Sequence, residues 1–209
     1  MPEALTYSSL VTDIQTYAER SDTPFTEQIP RLIMLAENRL ASEVRGLGFV
    51  RVVNFNLTIG NATYEKPIRW RETKELTIVT PTGRKSIYPR SLPYCRKYWP
   101  NVASVDTPEF YADYDYEHYV VAPTPDVAYV AEMIYYERPE PLSNTNQTNW
   151  TTQYAPQLLL YASLLEAQPF LKMPERIAEF QALYDRAAQA LRTEDISRIG
   201  DASANRSKA

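Results

Sequence analysis

An α+β fold is predicted by three features of this 209-residue sequence: two helical stripes before residue 48, two more after residue 151, and period-two alternation between them. The order helix, helix, strands, helix, helix implies a four-helix module, 1–48 with 151–194. Into it a β-rich insertion with its connector, 49–150, is set, and a flexible C-terminal tail, 195–209, follows.

The first helix spans residues 6–20, with Thr6 as its cap and Tyr7, Leu10, Val11, Ile14 and Tyr17 on one side. Ser21 to Pro24 reads as a turn. The second helix starts between Thr26 and Ile29, since Pro30 tolerates only a first turn, and runs to Val44. Ile29, Ile33, Ala36, Leu40 and Val44 form its stripe, and Gly46 and Gly48 are expected to close it.

Beyond residue 49 the period is two. Phe55, Leu57 and Ile59 alternate with polar residues before a Gly60-Asn61 turn leading to Tyr64. Leu76 and Ile78 pair with Ile87 around Thr82-Gly83. Prolines at 89, 93, 100 and 108 make that stretch irregular. Tyr114–Val121 and Val127–Tyr136 read as a final hairpin, and Glu137–Trp150 as a polar connector. The first of the two C-terminal helices is apolar nearly all round, through Leu158, Leu159, Leu160, Tyr161, Leu164 and Leu165. Pro156 suits its start and Pro169 is expected to end it. The second follows Pro174 with a single stripe of Ile177, Phe180, Tyr184, Ala187 and Leu191, and residues 195–209 are polar and aperiodic.

Composition narrows the function classes. Sixteen tyrosines and sixteen prolines against five glycines suggest stiff connections and wide contact surfaces. A single cysteine, Cys95, excludes an internal disulfide framework and a thiolate-rich zinc site. No basic start with an apolar run opens the sequence, and no stretch of about 18 apolar residues occurs. A protein kept in a reducing cytoplasm is therefore expected. The sequons at Asn56, Asn61, Asn146, Asn149 and Asn205 then read as plain asparagines.

Catalytic patterns are missing. His118 is the only histidine, and there is no nucleophile-elbow serine, P-loop, dinucleotide glycine pattern or zincin helix. Asp113, Asp115 and Glu117, next to His118, would share one face of a strand, which a hard cation could use; the plainer reading is a solvated face. Cys95 beside Arg96 and Lys97 could carry a lowered pKa, or be inert packing. No cofactor is expected.

Charge distribution is more informative. Residues 66–99 hold nine basic residues against Glu72 and Glu75, a net +7 in a chain of net −4, so the remainder carries −11. Trp70, Tyr88, Tyr94, Tyr98 and Trp99 are interleaved among them, a composition suited to nucleic acid. Overall acidity opposes that use. The next segment, 106–117, has five carboxylates and no Lys or Arg. A basic stretch followed by an acidic one suits contact between copies, or neutralisation within one chain. The candidate interface residues are Arg69, Trp70, Arg71 and Trp99 on one side, and Asp113, Tyr114, Asp115, Tyr116 and Glu117 on the other.

Several stretches together resemble tailed-bacteriophage head-to-tail adaptor (connector) proteins of short-tailed phages. They are IPRLIMLAENRLASEVR (29–45), APTPDVAYVAEMIYYERPEPLS (122–143) and NWTTQYAPQLLLYASLLEAQPFLK (149–172), followed by Arg176-Ile177 and Leu183-Tyr184-Asp185. Residues 66–105 depart most, and Met173-Pro174 stands where a polar helix cap is expected. The resemblance implies a structural, non-enzymatic virion protein, assembled in the host cytoplasm as a dodecameric ring between portal protein and tail nozzle or tube. Such rings extend the channel for double-stranded DNA and help retain and deliver the genome. It also implies a C-terminal docking arm, here carrying Asp195, Arg198, Asp201, Arg206 and Lys208. Two other readings stay open: a sequence-independent nucleic-acid binder using 66–99, and a carboxylate-dependent hydrolase using Asp113–Glu117.

Overall fold

The computed structural model describes residues 4–199. In chain order the helices are α1 (Tyr7–Ala18), α2 (Thr23–Thr26), α3 (Ile29–Glu43), α4 (Leu92–Tyr98), α5 (Trp150–Tyr154), α6 (Pro156–Leu171) and α7 (Ile177–Ile199). The strands are β1 (Val50–Leu57), β2 (Thr63–Glu65), β3 (Trp70–Thr80), β4 (Gly83–Pro89), β5 (Val105–Asp106), β6 (Phe110–Asp113), β7 (His118–Ala122), β8 (Thr124–Pro125) and β9 (Tyr129–Glu137). The fold is thus mixed α+β, in two units: Met1–Phe49 with Arg138–Ala209, and Val50–Glu137. The connector after Glu137 falls with the helices.

In the helical unit, α1 begins with a reciprocal capping box. Ser9 N–H donates to Thr6 Oγ1 at 3.1 Å, and Thr6 N–H donates to Ser9 Oγ at 2.9 Å. Tyr7, Leu10, Ile14 and Ala18 are buried, whereas Tyr17, expected on the same side, is largely exposed because Ala18 holds the inward position. The expected Ser21–Pro24 turn is instead the helical turn α2, where Asp22 accepts the Phe25 N–H and Pro24 occupies the first turn. The α3 stripe is buried throughout: Ile29, Ile33, Ala36, Leu40 and, just after the helix, Val44.

Three local expectations are corrected here. Gly46 and Gly48 do not cap α3, which leaves through an extended Val44; they permit close approach to Asp195 and Trp150 instead. Pro169 lies inside α6 rather than ending it, and the helix closes on Lys172 in the left-handed conformation. Near the C-terminal end, losing one backbone donor is tolerable because the remaining turn is short. α7 continues to Ile199, so Asp195 and Arg198 are helical and not part of an aperiodic tail. Asp201, Arg206 and Lys208 lie outside the described residues. On α7 the inward positions are Phe180, Tyr184, Ala188, Leu191 and Asp195, with Ile177 largely exposed. α6 contacts α1, α3 and α7, which explains why it is apolar nearly all round.

In the strand unit, seven strands form one sheet in the order β1-β9-β3-β4-β6-β7-β2. All pairs are antiparallel except β4 with β6. The expected pairing of Leu76 with Ile87 is present. The expected hairpin of 114–121 with 127–136 is not. The chain reverses at 114–117, so β7 pairs back onto β6, while β9 lies between β1 and β3. The proline-rich stretch contains α4, capped by Ser91 with Pro93 in its first turn. The core consists chiefly of Leu57, Leu76, Ile78, Ile87, Tyr119, Met133 and Tyr135, with Tyr111 and Tyr129 also buried in it.

Candidate interaction surface

Residues 114–117 form a turn whose conformation is fixed from two sides. Asp115 Oδ1 accepts the N–H groups of Glu117 and His118, each at 2.7 Å, and its carboxylate meets His118 Nδ1 at 3.0 Å. Desolvation is the largest single influence and raises the Asp115 pKa, but these donors together outweigh it and hold the carboxyl below its ordinary value. From the other side comes Lys66, whose side chain is only 4% exposed. Its Nζ donates to the Asp115 carbonyl at 2.7 Å, pairs with Asp113 at 2.9 Å and lies 4.0 Å from the Trp70 ring centroid. Asp113, Asp115 and Glu117 therefore do not share a strand face. Among the described residues no three His, Cys, Asp or Glu side chains gather as a metal site. What the turn displays is aromatic: Tyr114 and Tyr116 are 48% and 69% exposed.

The basic and acidic stretches thus meet inside one chain at Lys66 and Asp113. The other candidates find local partners too. Arg69, in the left-handed region, pairs with Glu137 at 2.9 Å, as does Arg51 at 3.1 Å. Arg84 pairs with Glu132, and Lys85 with Glu109. Arg71 is half-buried on β3. Trp70 donates to Thr73 and packs on the sheet core; Trp99 donates to the Ser104 carbonyl and packs on Cys95, Ala112 and Ala122. Burial pushes the Cys95 thiol up despite the nearby Arg90, and the side chain packs with Ala112 and Ala122.

Around α4 the cations meet rings instead of carboxylates. Tyr94 and Tyr98 lie parallel with centroids 6.2 Å apart, and both stand edge-on to Phe110. Arg90 lies 5.5 Å from the Tyr94 centroid, and Arg96 lies 5.8 Å from that of Tyr114. This arrangement was hidden in a stretch whose prolines read as irregular, although Ser91 two residues before Pro93 is a helix-start signal.

The helical unit contributes two buried carboxylates that stripe reading passes over. Glu37 on α3 accepts the Leu142 N–H and, at 2.8 Å, the Asn149 side-chain amide. Burial pushes its carboxyl up to about 7, with both hydrogen bonds opposing. Asp195, 8% exposed, accepts the Leu47 N–H at 3.1 Å. Beside it a recess of about 330 Å³ is lined by Gly48, Trp150, Tyr154, Glu194 and Arg198. Asp195 is therefore occupied within the chain, whereas Arg198 is exposed on α7 and paired with Glu194. Both carboxylates fall four residues from an apolar stripe member, Ile33 and Leu191, and that spacing was the available signal.

The turn and α4 thus display exposed tyrosines and cation–ring pairs, residue types enriched at contact surfaces. No curated protein matches the chain. The family model of the SU10 adaptor protein matches residues 5–207, across both units, and the chain belongs to that family.

Proposed function

We propose that this chain is a structural head-to-tail adaptor of a tailed bacteriophage, of the short-tailed kind. The observation that carries the reading is the adaptor family match across residues 5–207. Copies form a dodecameric ring between the portal and the tail nozzle or tube, in the virion after assembly in the host cytoplasm. The ring extends the channel for double-stranded DNA and helps retain the genome. No step of this role requires bond making by the chain.

A ring of identical subunits needs one patch that meets a different patch on its neighbour. Tyr114 and Tyr116, on a turn already fixed by Lys66 and Asp115, supply the rigid aromatic part of that contact. Asp113 and Glu117 at its rim, with Arg69 and Arg71 opposite, set register by sharing charge with the neighbour in addition to the in-chain partners of Asp113 and Arg69. Such exposed pairs contribute about 0–1 kcal/mol each and do not hold a ring alone. Trp70 and Trp99 act from behind, by supporting the sheet and α4. The four long helices serve as one module, and the end of α7 with residues 200–209 docks on the portal through Arg198, Arg206 and Lys208.

Electron microscopy of the purified chain mixed with its portal tests this reading. The expected result is a second ring stacked on the portal; separate portals and unassembled chains would refute it.

A further inference from the structure

We propose that α4 and its approach, through Arg90, Arg96 and Lys97, form a phosphate-binding face for the backbone of a DNA duplex, read without sequence preference. The inference deepens the adaptor reading and rests on it for the presence of a duplex.

The argument is one of charge left over. Of the basic residues in 66–99, Lys66, Arg69, Arg84 and Lys85 each face a carboxylate of the same chain. Arg90 and Arg96 face rings instead, and a ring does not cancel a cation's charge. Lys97 is exposed in the last turn of α4, and no carboxylate of the described residues pairs with it. Acids lie near these cations too: Asp106 acts on Tyr98, and Asp113, Asp115 and Glu109 each have contacts of their own. Glu109 takes the Tyr98 hydroxyl at 2.9 Å and Lys85 at 3.5 Å, Asp113 takes Lys66, and Asp115 takes its own turn and His118. Arg90, Arg96 and Lys97 thus place three exposed cations that face no carboxylate of the described residues on α4 and just before it, in an acidic protein.

The geometry then chooses among anionic partners. Tyr94 and Tyr98 stack on each other and stand against Phe110, with Arg90 over Tyr94. Both rings are partly exposed, but Phe110 and Arg90 occupy part of their surface, which favours phosphate contact over base stacking. What faces outward is a set of fork-shaped and point-like cations, which suits phosphate oxygens. A duplex presents those oxygens while keeping its bases inside. Three cations give a weak, salt-labile contact, one that can steady a duplex without arresting it.

Fluorescence anisotropy of the purified full chain with a labelled mixed-sequence duplex, and with one strand of it alone, tests the assignment. Duplex binding is expected at low salt, stronger than single-strand binding. Its logarithmic salt slope should be about −2 to −3, as three phosphate contacts imply. The variant Arg90→Glu, Arg96→Glu, Lys97→Glu, checked for folding by circular dichroism, should lose binding. Arg84→Glu, whose native charge is already paired by Glu132, should bind as the parent does. If the triple variant misfolds, Arg96→Gln with Lys97→Gln should reduce the slope by about 2. Absent duplex binding at low salt, unchanged binding by the charge variants, or preference for the single strand would each overturn the proposal. So would loss of portal attachment with duplex binding kept, which would assign the face to a protein. Failure of the unaltered chain to attach to the portal would refute the adaptor reading, while the duplex measurement still decides this one.

Discussion

Gly48 lies directly against the indole of Trp150, so closely that a Cβ at position 48 would stand 1.8 Å from Trp150 Cε2. That indole cannot easily retreat, because it packs on Phe49 at 5.1 Å and on Tyr154 at 5.9 Å between centroids. Gly48→Ala should destabilise the chain by about 1–3 kcal/mol, the usual range for overpacking. In a Trp150→Ala background the same change should cost clearly less. Denaturant melts of the four proteins measure this, and equal costs in both backgrounds would exclude the steric explanation.

Glu37 should make stability pH-dependent. Its folded carboxyl titrates at about 7 against an ordinary 4.5, so the folded chain keeps the proton where the unfolded chain has lost it. The resulting stability is fully present below about pH 4.5, declines as pH rises through about 7, and changes no further above. The span is on the order of 3 kcal/mol, at about 1.4 per pH unit. Unfolding of the parent should therefore become easier between pH 5 and 7.5 relative to Glu37→Gln. Parallel pH profiles for the two proteins would rule the titration out.

Lys66 is expected to behave as a fastener. Lys66→Met removes its pair with Asp113, its bond to the Asp115 carbonyl and its contact with Trp70. A loss of about 0.5–1.5 kcal/mol is expected, since Lys66 is enclosed but Asp113 is exposed and can turn to water. Hydrogen exchange should quicken at the Glu117 and His118 amides, which Asp115 holds. Unchanged exchange there would show that the turn keeps its form without the lysine.

Two truncations should separate stability from docking. Ending the chain after Ile199 leaves α7 and Asp195 intact and should preserve the melting temperature while weakening portal attachment. Ending it after Glu194 removes the acceptor of the Leu47 N–H and should cost about 1–3 kcal/mol more. Identical melting temperatures for the two would argue against Asp195 as a structural partner.

What was legible in the sequence follows from what periodicity encodes. The α3 stripe is buried at every expected position because a 3.6-residue repeat specifies a face. The alternation in 127–136 likewise specifies a strand and its inner face, but not its neighbour. β9 consequently pairs with β1 and β3 instead of with the segment just before it. Partner choice was decided by the reversal at 114–117, which depends on Asp115 folding back onto two backbone amides, a local polar event inside a stretch read as strand. Glu37 and Asp195 were passed over because a polar residue on an apolar stripe looks like an interruption until its donor, far along the chain, is known. The candidate charges were legible by count. Their cancellation in pairs such as Lys66 with Asp113 was not, since it depends on which strands lie together.

One property of the sheet reaches beyond this chain. β1 and β9 are adjacent and antiparallel, with Val50 directly opposite Tyr136, so the strand unit begins and ends at one spot. Residues at the two crossing points are separated by about 5 Å, the spacing of neighbouring strands. A graft of one short loop would therefore close the helical scaffold over an excised insertion, at a small entropic cost of loop closure. Exchange of the whole insertion for a longer or shorter one needs no change in helix register. Such a chain can be retailored to a new neighbour by swapping a cassette, leaving the framework that carries it untouched.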